Sequence, residues 1–124
     1  MAGASRLSAR CVTAGGWRLH TRFAEGQAGH DRLPVVLVHG MSVSSRYLIS
    51  TAEQLAEDYY VYAPDLPGFG KSEKPPYVPD IAELAGVLAA WMDVMGLERA
   101  VLVGNSYGCC PTGGWWSSRM PPMW

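Results

Sequence analysis

Residues 100–110 read AVLVGNSYGCC, and this stretch decides how the rest of the chain is interpreted. An apolar run leads directly into Gly104-Asn105-Ser106-Tyr107-Gly108, which is the pattern G-x-S-x-G. After a buried strand this pattern predicts a turn so tight that its flanking positions tolerate almost no side chain. Such a turn would present the Ser106 hydroxyl at the end of the strand. The same pentapeptide also occurs in ordinary loops, so the preceding sequence must decide between the two.

The composition is that of a globular domain without unusual charge. The chain has 124 residues, enough for one domain with a hydrophobic core. Ten Lys and Arg against eleven Asp and Glu leave a formal charge of −1, so we expect no nucleic-acid partner. No apolar run approaches the roughly 20 residues needed to span a bilayer, so we expect no membrane partner. The three cysteines are odd in number and lack metal-ligand spacing, and we expect neither a metal nor a cofactor.

The first 24 residues allow two interpretations. Arginines at positions 6, 10, 18 and 22 precede the first acidic residue, which gives a faint resemblance to an organelle transit sequence. Alternatively, residues 9–13 and 17–23 form two strands joined by Gly15-Gly16, where glycine supplies positive φ at little cost. We adopt the hairpin. Because no secretory apolar segment is present, we expect a cytoplasmic protein.

Buried strands alternate with helices through the middle of the chain. Residues 35–38, 59–63 and 100–103 are apolar runs that predict strands, and the first shows no alternation, which is typical of a parallel sheet. Between them, apolar spacing predicts helices over 46–57 and 80–95. The sequence therefore predicts a parallel α/β sheet, whose ligands bind at the carboxyl ends of the strands.

The second helix has the sharper boundaries. Asp80 with Glu83 forms a capping-box pattern at its start, and Gly96 lies just past its end. Its predicted buried face consists of Ile81, Leu84, Ala85, Leu88, Trp91, Met92 and Met95.

Three motifs follow the predicted strands in order: LVHG at 37–40, DLPGFGKS at 65–72 and VGNSYG at 103–108. Over roughly residues 8–110 the chain thereby resembles the α/β-hydrolase superfamily, in its branch of small serine esterase-, lactonase- and haloperoxidase-like enzymes. The resemblance implies acyl transfer from a small-molecule carboxylic ester, lactone or thioester.

The resemblance also implies roles for individual residues. Ser106 would be the nucleophile, and the backbone N–H groups of Met41 and Tyr107 would form the oxyanion hole. His39 with Gly40, and Asp65, would be structural residues of their loops. Catalytic roles for His39 or Asp65 remain as alternatives.

Nucleotide binding is a competing interpretation of Gly70-Lys71-Ser72. A phosphate-binding loop needs a glycine where Asp65 stands, and it needs a helix to begin at the lysine. Pro75-Pro76 excludes that helix. A dinucleotide site is also unsupported, because no G-x-G-x-x-G opens a helix after the first buried strand.

The hydrolase pattern breaks after Ser106. In the superfamily the acid and the histidine follow the serine along the chain, but residues 107–124 contain no Asp, Glu or His. Prolines and glycines in residues 111–124 exclude a sustained helix there. We therefore expect a partial α/β-hydrolase domain over 1–110 and an aberrant, irregular tail over 111–124.

The expected fold is the N-terminal half of an α/β-hydrolase, a mostly parallel sheet with an N-terminal antiparallel hairpin and with its C-terminal part missing. Such a chain would be an inactive fragment of a serine hydrolase. The alternative is a non-catalytic binding or interaction module on the same scaffold. The sequence predicts no particular oligomeric state.

Overall fold

The structure, a computed structural model, describes residues 7–24, 32–40 and 45–104. It begins with the predicted hairpin, in which β1 (Ser8–Ala14) pairs antiparallel with β2 (Trp17–Ala24). Gly15 and Gly16 form the turn with φ of 59° and 87°. This left-handed conformation at two successive positions is the turn geometry that matches the twist of a hairpin, and it favours glycine.

The described strands form one five-stranded sheet in the order β1-β2-β4-β3-β5. Strands β3 (Val35–Val38), β4 (Val61–Pro64) and β5 (Val101–Gly104) run parallel, and β2 joins the hairpin antiparallel to β4. All residues of β3 and β4 are buried, as the absence of alternation predicts. Together with the helices, this confirms the predicted α/β fold class.

Among the described residues, one helix packs on each face of the sheet. Val36 and Val38 of β3 face α2 (Ile81–Met95) and pack in a cluster with its Trp91. Val35 and Leu37 face the other side, in a second cluster with residues of α1 (Ile49–Leu55). The period-two alternation of a strand thus supplies both cores from one apolar run.

Helix α2 begins and ends where the sequence predicts. The Asp80 side chain accepts a hydrogen bond from the Glu83 N–H, and Gly96 closes the helix with φ of 74°. The Glu83 carboxylate accepts a hydrogen bond from the Tyr77 hydroxyl at 2.7 Å. The buried face of α2 includes Val87, which the predicted face omits, whereas Ile81 is 37% exposed.

Two other boundaries differ from the prediction. A 3₁₀ turn (Ser45–Leu48) precedes α1, so the α-helix is shorter than 46–57. After α1, the N–H groups of Asp58 and Tyr59 both donate to the Leu55 carbonyl. The chain is still turning at Tyr59, and for this reason β4 begins two residues later than the aromatic run predicts.

Candidate active site

The carboxyl ends of the three parallel strands lie at one edge of the sheet. β3 and β5 end in register, with Val38 opposite Gly104, and β4 pairs with the other side of β3. His39 follows β3 directly, and Asp65 follows β4 directly. Ligand sites of parallel α/β sheets form at this edge, which makes it the candidate active site.

His39 is 2% exposed and both of its ring nitrogens are engaged. Nε2 accepts the Leu66 N–H at 2.9 Å, and Nδ1 lies 2.8 Å from the Gly40 carbonyl oxygen. Because the Leu66 N–H can only donate and the Gly40 carbonyl can only accept, the ring is neutral with its proton on Nδ1. Burial lowers the pKa of His39, although the Gly40 carbonyl and Asp65 act in the opposite direction. The Phe69 ring packs against the imidazole at 5.0 Å.

Asp65 is completely buried, and both of its carboxylate oxygens accept hydrogen bonds. Oδ1 accepts the Ser45 N–H at 2.6 Å, and Oδ2 accepts the Lys71 N–H at 3.1 Å. His20 Nδ1 lies 3.2 Å from Oδ2. Burial raises the pKa of the Asp65 carboxyl, but the hydrogen bonds from Ser45 and Lys71 and the charge of His20 outweigh it, so the net pKa is lowered. The carboxylate is therefore ionised within the protein at neutral pH.

A second ring of contacts surrounds this carboxylate. The Arg22 guanidinium lies 3.9 Å from Oδ2 and donates to the Ser45 hydroxyl. The Ser72 hydroxyl donates to the Asp65 carbonyl at 2.6 Å and accepts the His20 N–H at 2.8 Å. Strand β2, the turn after residue 44 and the loop after β4 are thus joined through one buried polar network.

Gly70 lets the loop close over Asp65. Its φ is 53°, and a Cβ built there would overlap the Asp65 carboxylate. Only a residue without a side chain can occupy this position while Oδ2 accepts the Lys71 N–H.

Sequence reasoning misses His20, Arg22 and Ser45. The available signal is that His20 and Arg22 are alternate residues of β2 and therefore lie on one face of the strand, toward Asp65. Ser106, Tyr107 and Met41 lie outside the described residues.

Two properties of the described residues bear on the class of site. No group of three or more His, Cys, Asp or Glu in residues 7–24, 32–40 and 45–104 is arranged to hold a metal ion. Within the same ranges, no helix has the length and apolar character required to cross a bilayer.

The sheet order, the two-sided helical cover and the loops at the strand ends define an α/β-hydrolase. The family profile described as alpha/beta hydrolase fold matches residues 34–112, which is more than half of the chain, and the chain belongs to this family. This confirms the family that the three motifs predict.

Individual relatives are hydrolase-fold proteins of varied activity. The chain is 37% identical over 81 residues to the abhydrolase domain-containing protein abhd-5.2 of Caenorhabditis elegans, covering 62% of this chain and 18% of the relative. It is similar to a bacterial membrane phospholipase A structure, with a TM-score of 0.83, 26% identity and coverage of 94% and 38%. A haloalkane dehalogenase loop variant from Bradyrhizobium elkanii gives a TM-score of 0.81, 25% identity and coverage of 92% and 37%.

The chain spans about a fifth of the length of the curated relative and under two fifths of each solved chain. What these proteins share with it is the hydrolase scaffold.

Proposed function

We propose that this chain carries the nucleophile-bearing portion of a serine hydrolase that acts on a carboxylic ester, lactone or thioester by acyl transfer at Ser106. The observation that carries the proposal is the register of Val38 with Gly104. It brings the ends of β3 and β5 side by side, and Ser106 lies two residues beyond Gly104 while Met41 lies three beyond Val38. The N–H groups of Met41 and Tyr107 are the proposed oxyanion donors.

A serine nucleophile supports ester chemistry over the dehalogenase chemistry of the neighbour from Bradyrhizobium elkanii. A serine alkoxide attacks a carbonyl carbon, and the tetrahedral oxyanion that forms is what two backbone N–H groups stabilise. The similarity to a phospholipase A structure, at 26% identity, is consistent with an ester substrate.

We further propose that the 124-residue chain by itself turns over esters at a negligible rate, because no acid or histidine follows Ser106 as in the superfamily; of the three histidines before it, His30 lies outside the described residues. Residues 107–124 contain no Asp, Glu or His. Both ring nitrogens of His39 are occupied by Leu66 and Gly40, and Nδ1 of His20 faces Asp65. His39, Gly40 and Asp65 are accordingly proposed as structural residues of the site.

The test separates the placement of the nucleophile from the missing base. A thiolate needs little help from a base, so Ser106→Cys is compared with the exposed Cys11 in a background carrying Cys109→Ser and Cys110→Ser. Both thiols are exposed to p-nitrophenyl acetate at about pH 8.5, and acylation is followed by peptide mass spectrometry.

We expect the introduced thiol to be acylated at least about tenfold faster than Cys11, since one oxyanion donor alone contributes about 100-fold in other enzymes. Equal rates would overturn the proposed site. The unmodified chain should release p-nitrophenol no faster than Ser106→Ala. Sustained turnover that depends on Ser106 would overturn the proposal that a base is missing, but it would not contradict the proposed placement of the nucleophile.

A further inference from the structure

A cavity of about 460 Å³ opens beside the loop that follows β4. Two segments, 67–69 and 74–79, line it together with Leu84 of α2, which is 2% exposed. Its volume lies in the range of small-molecule sites, which is about 300–1,000 Å³. The lining side chains from the described ranges are almost all apolar. The His20 and Asp65 network is not part of this lining.

Prolines and backbone contacts restrict the walls of the cavity. Four of the lining residues are prolines, whose φ is fixed by the ring. The Gly68 N–H donates to the carbonyl of Glu73, the residue just before the second segment, at 2.9 Å. The Phe69 ring is held against His39. A ligand that enters this cavity orders little further chain, which lowers the entropic cost of binding. The four prolines are Pro67, Pro75, Pro76 and Pro79.

Lys74 is the one charged residue among those that line the cavity in the described part of the chain. Its Nζ donates to the carbonyl of Gly70, the residue after the lining residue Phe69, at 2.9 Å. An ammonium has three donors, so this bond leaves capacity for an anion. Tyr77, another lining residue, donates its hydroxyl to the Glu83 carboxylate. Apolar walls with a single cation are complementary to an amphiphile with an alkyl chain and an anionic head.

We propose that this cavity binds a monomeric fatty carboxylate, with its alkyl chain against the proline-rich walls and its carboxylate at the Lys74 ammonium. Val78 is 89% exposed and Tyr77 is 49% exposed. Both line the cavity, so a bound chain would cover apolar surface that is otherwise in water. Binding here requires no reaction at Ser106.

The test is calorimetric titration of the full chain with hexanoate, octanoate and decanoate below their micellar concentrations, and with octanol as a neutral ligand. Each methylene that becomes buried should tighten the dissociation constant by up to about fourfold, which corresponds to about 0.8 kcal/mol. Lys74→Met should weaken the binding of octanoate by about two- to fivefold, which is the range of a solvent-exposed ion pair. It should leave the affinity for octanol unchanged.

Lys71→Met is the matched control, because Lys71 is an exposed lysine of the same loop that does not line the cavity. This variant should change the affinity for neither octanoate nor octanol. Val78→Asp places a negative charge, of the same sign as the carboxylate ligand, at an exposed lining position. It should therefore weaken the binding of octanoate more than the binding of octanol.

Three results would overturn the proposal. The first is an affinity that does not depend on the length of the alkyl chain, and the second is an equal effect of Lys74→Met and Lys71→Met on the affinity for octanoate. The third is binding to anionic vesicles without binding of monomeric octanoate. Because the readout is binding and not acylation, the carboxylate site and the proposed acyl transfer can fail separately.

Discussion

Replacing Asp65 by Asn tests the buried network at the strand ends. The substitution keeps the shape of the side chain but exchanges one carboxylate oxygen for an NH₂ group. Oδ1 accepts from Ser45 and Oδ2 accepts from Lys71, both through backbone N–H groups that cannot reverse their role. Whichever way the amide is oriented, one donor then faces another donor. The negative charge beside Arg22 and His20 is lost as well.

The expected loss follows from these contacts. One buried donor without an acceptor costs about 1–3 kcal/mol. Removing one partner of a buried charge pair costs about 3–5 kcal/mol in comparable cases, and the two effects overlap at this site. We therefore expect the free energy of unfolding to fall by about 3–5 kcal/mol. With a urea slope of about 1.5 kcal/mol/M, the midpoint should fall by about 2–3 M.

The assay is urea denaturation followed by tryptophan fluorescence, with Asp58→Asn as the matched control. Asp58 is exposed in the turn after α1, so its replacement should stay within about 0.5 kcal/mol of the parent. The pKa of Asp65 is lowered in the folded state. Its stabilisation is therefore present above the unfolded pKa of about 3.9 and is lost as the pH falls through the lower folded value. Equal midpoints for Asp65→Asn and Asp58→Asn at pH 7 would refute this reasoning.

Two further predictions concern the same edge of the sheet. Burial lowers the pKa of His39, so the unfolded chain takes up a proton at a higher pH than the folded protein does. As the pH is lowered from about 6.5, the free energy of unfolding should therefore decrease by up to about 1.4 kcal/mol per pH unit. In His39→Gln, whose side-chain carbonyl can accept the Leu66 N–H, this pH dependence should be smaller. An unchanged pH dependence, measured by urea titrations between pH 5 and 7, would contradict its assignment to His39. Gly70→Ala should cost more than about 2 kcal/mol because its Cβ meets the Asp65 carboxylate at positive φ, whereas Gly86→Ala in α2, with open space around it, should gain up to about 1 kcal/mol. If the melting temperatures of the two glycine variants shift in the same direction, this would count against the close approach of Gly70 to Asp65.

The fold could be predicted because its signals are local. The glycine pair at 15–16, the unalternating run at 35–38 and the cap at Asp80 each act within a few residues, and each appears in the structure as the sequence indicates. The boundary at Tyr59 could not be predicted from propensity. It depends on two hydrogen bonds to the Leu55 carbonyl that close the turn after α1.

The site was predictable only where a motif marks it. Asp65 belongs to a motif, but Ser45 and His20, which help to lower its pKa, come from distant positions of the chain, as does Arg22, which lies 3.9 Å from the carboxylate. Arg22 and His20 reach it because β2 pairs with β4 in a register that places Thr21 opposite Pro64. No local pattern encodes that register, since it is set by packing of both faces of the sheet.

The contacts of Asp65 and His39 also explain why one short loop after β4 matters for the proposed oxyanion hole. The chain leaves β3 toward Gly40, whose carbonyl is bound by the His39 ring, and that ring is held by the Leu66 N–H. On the far side of Met41, the N–H of Ser45 is bound by Asp65. Both ends of the segment that contains Met41 are therefore fixed by two consecutive residues. Asp65→Asn should therefore displace the end of the segment at Ser45, and a loss of acylation at the Ser106→Cys thiol in this variant would be transmitted through that backbone anchor.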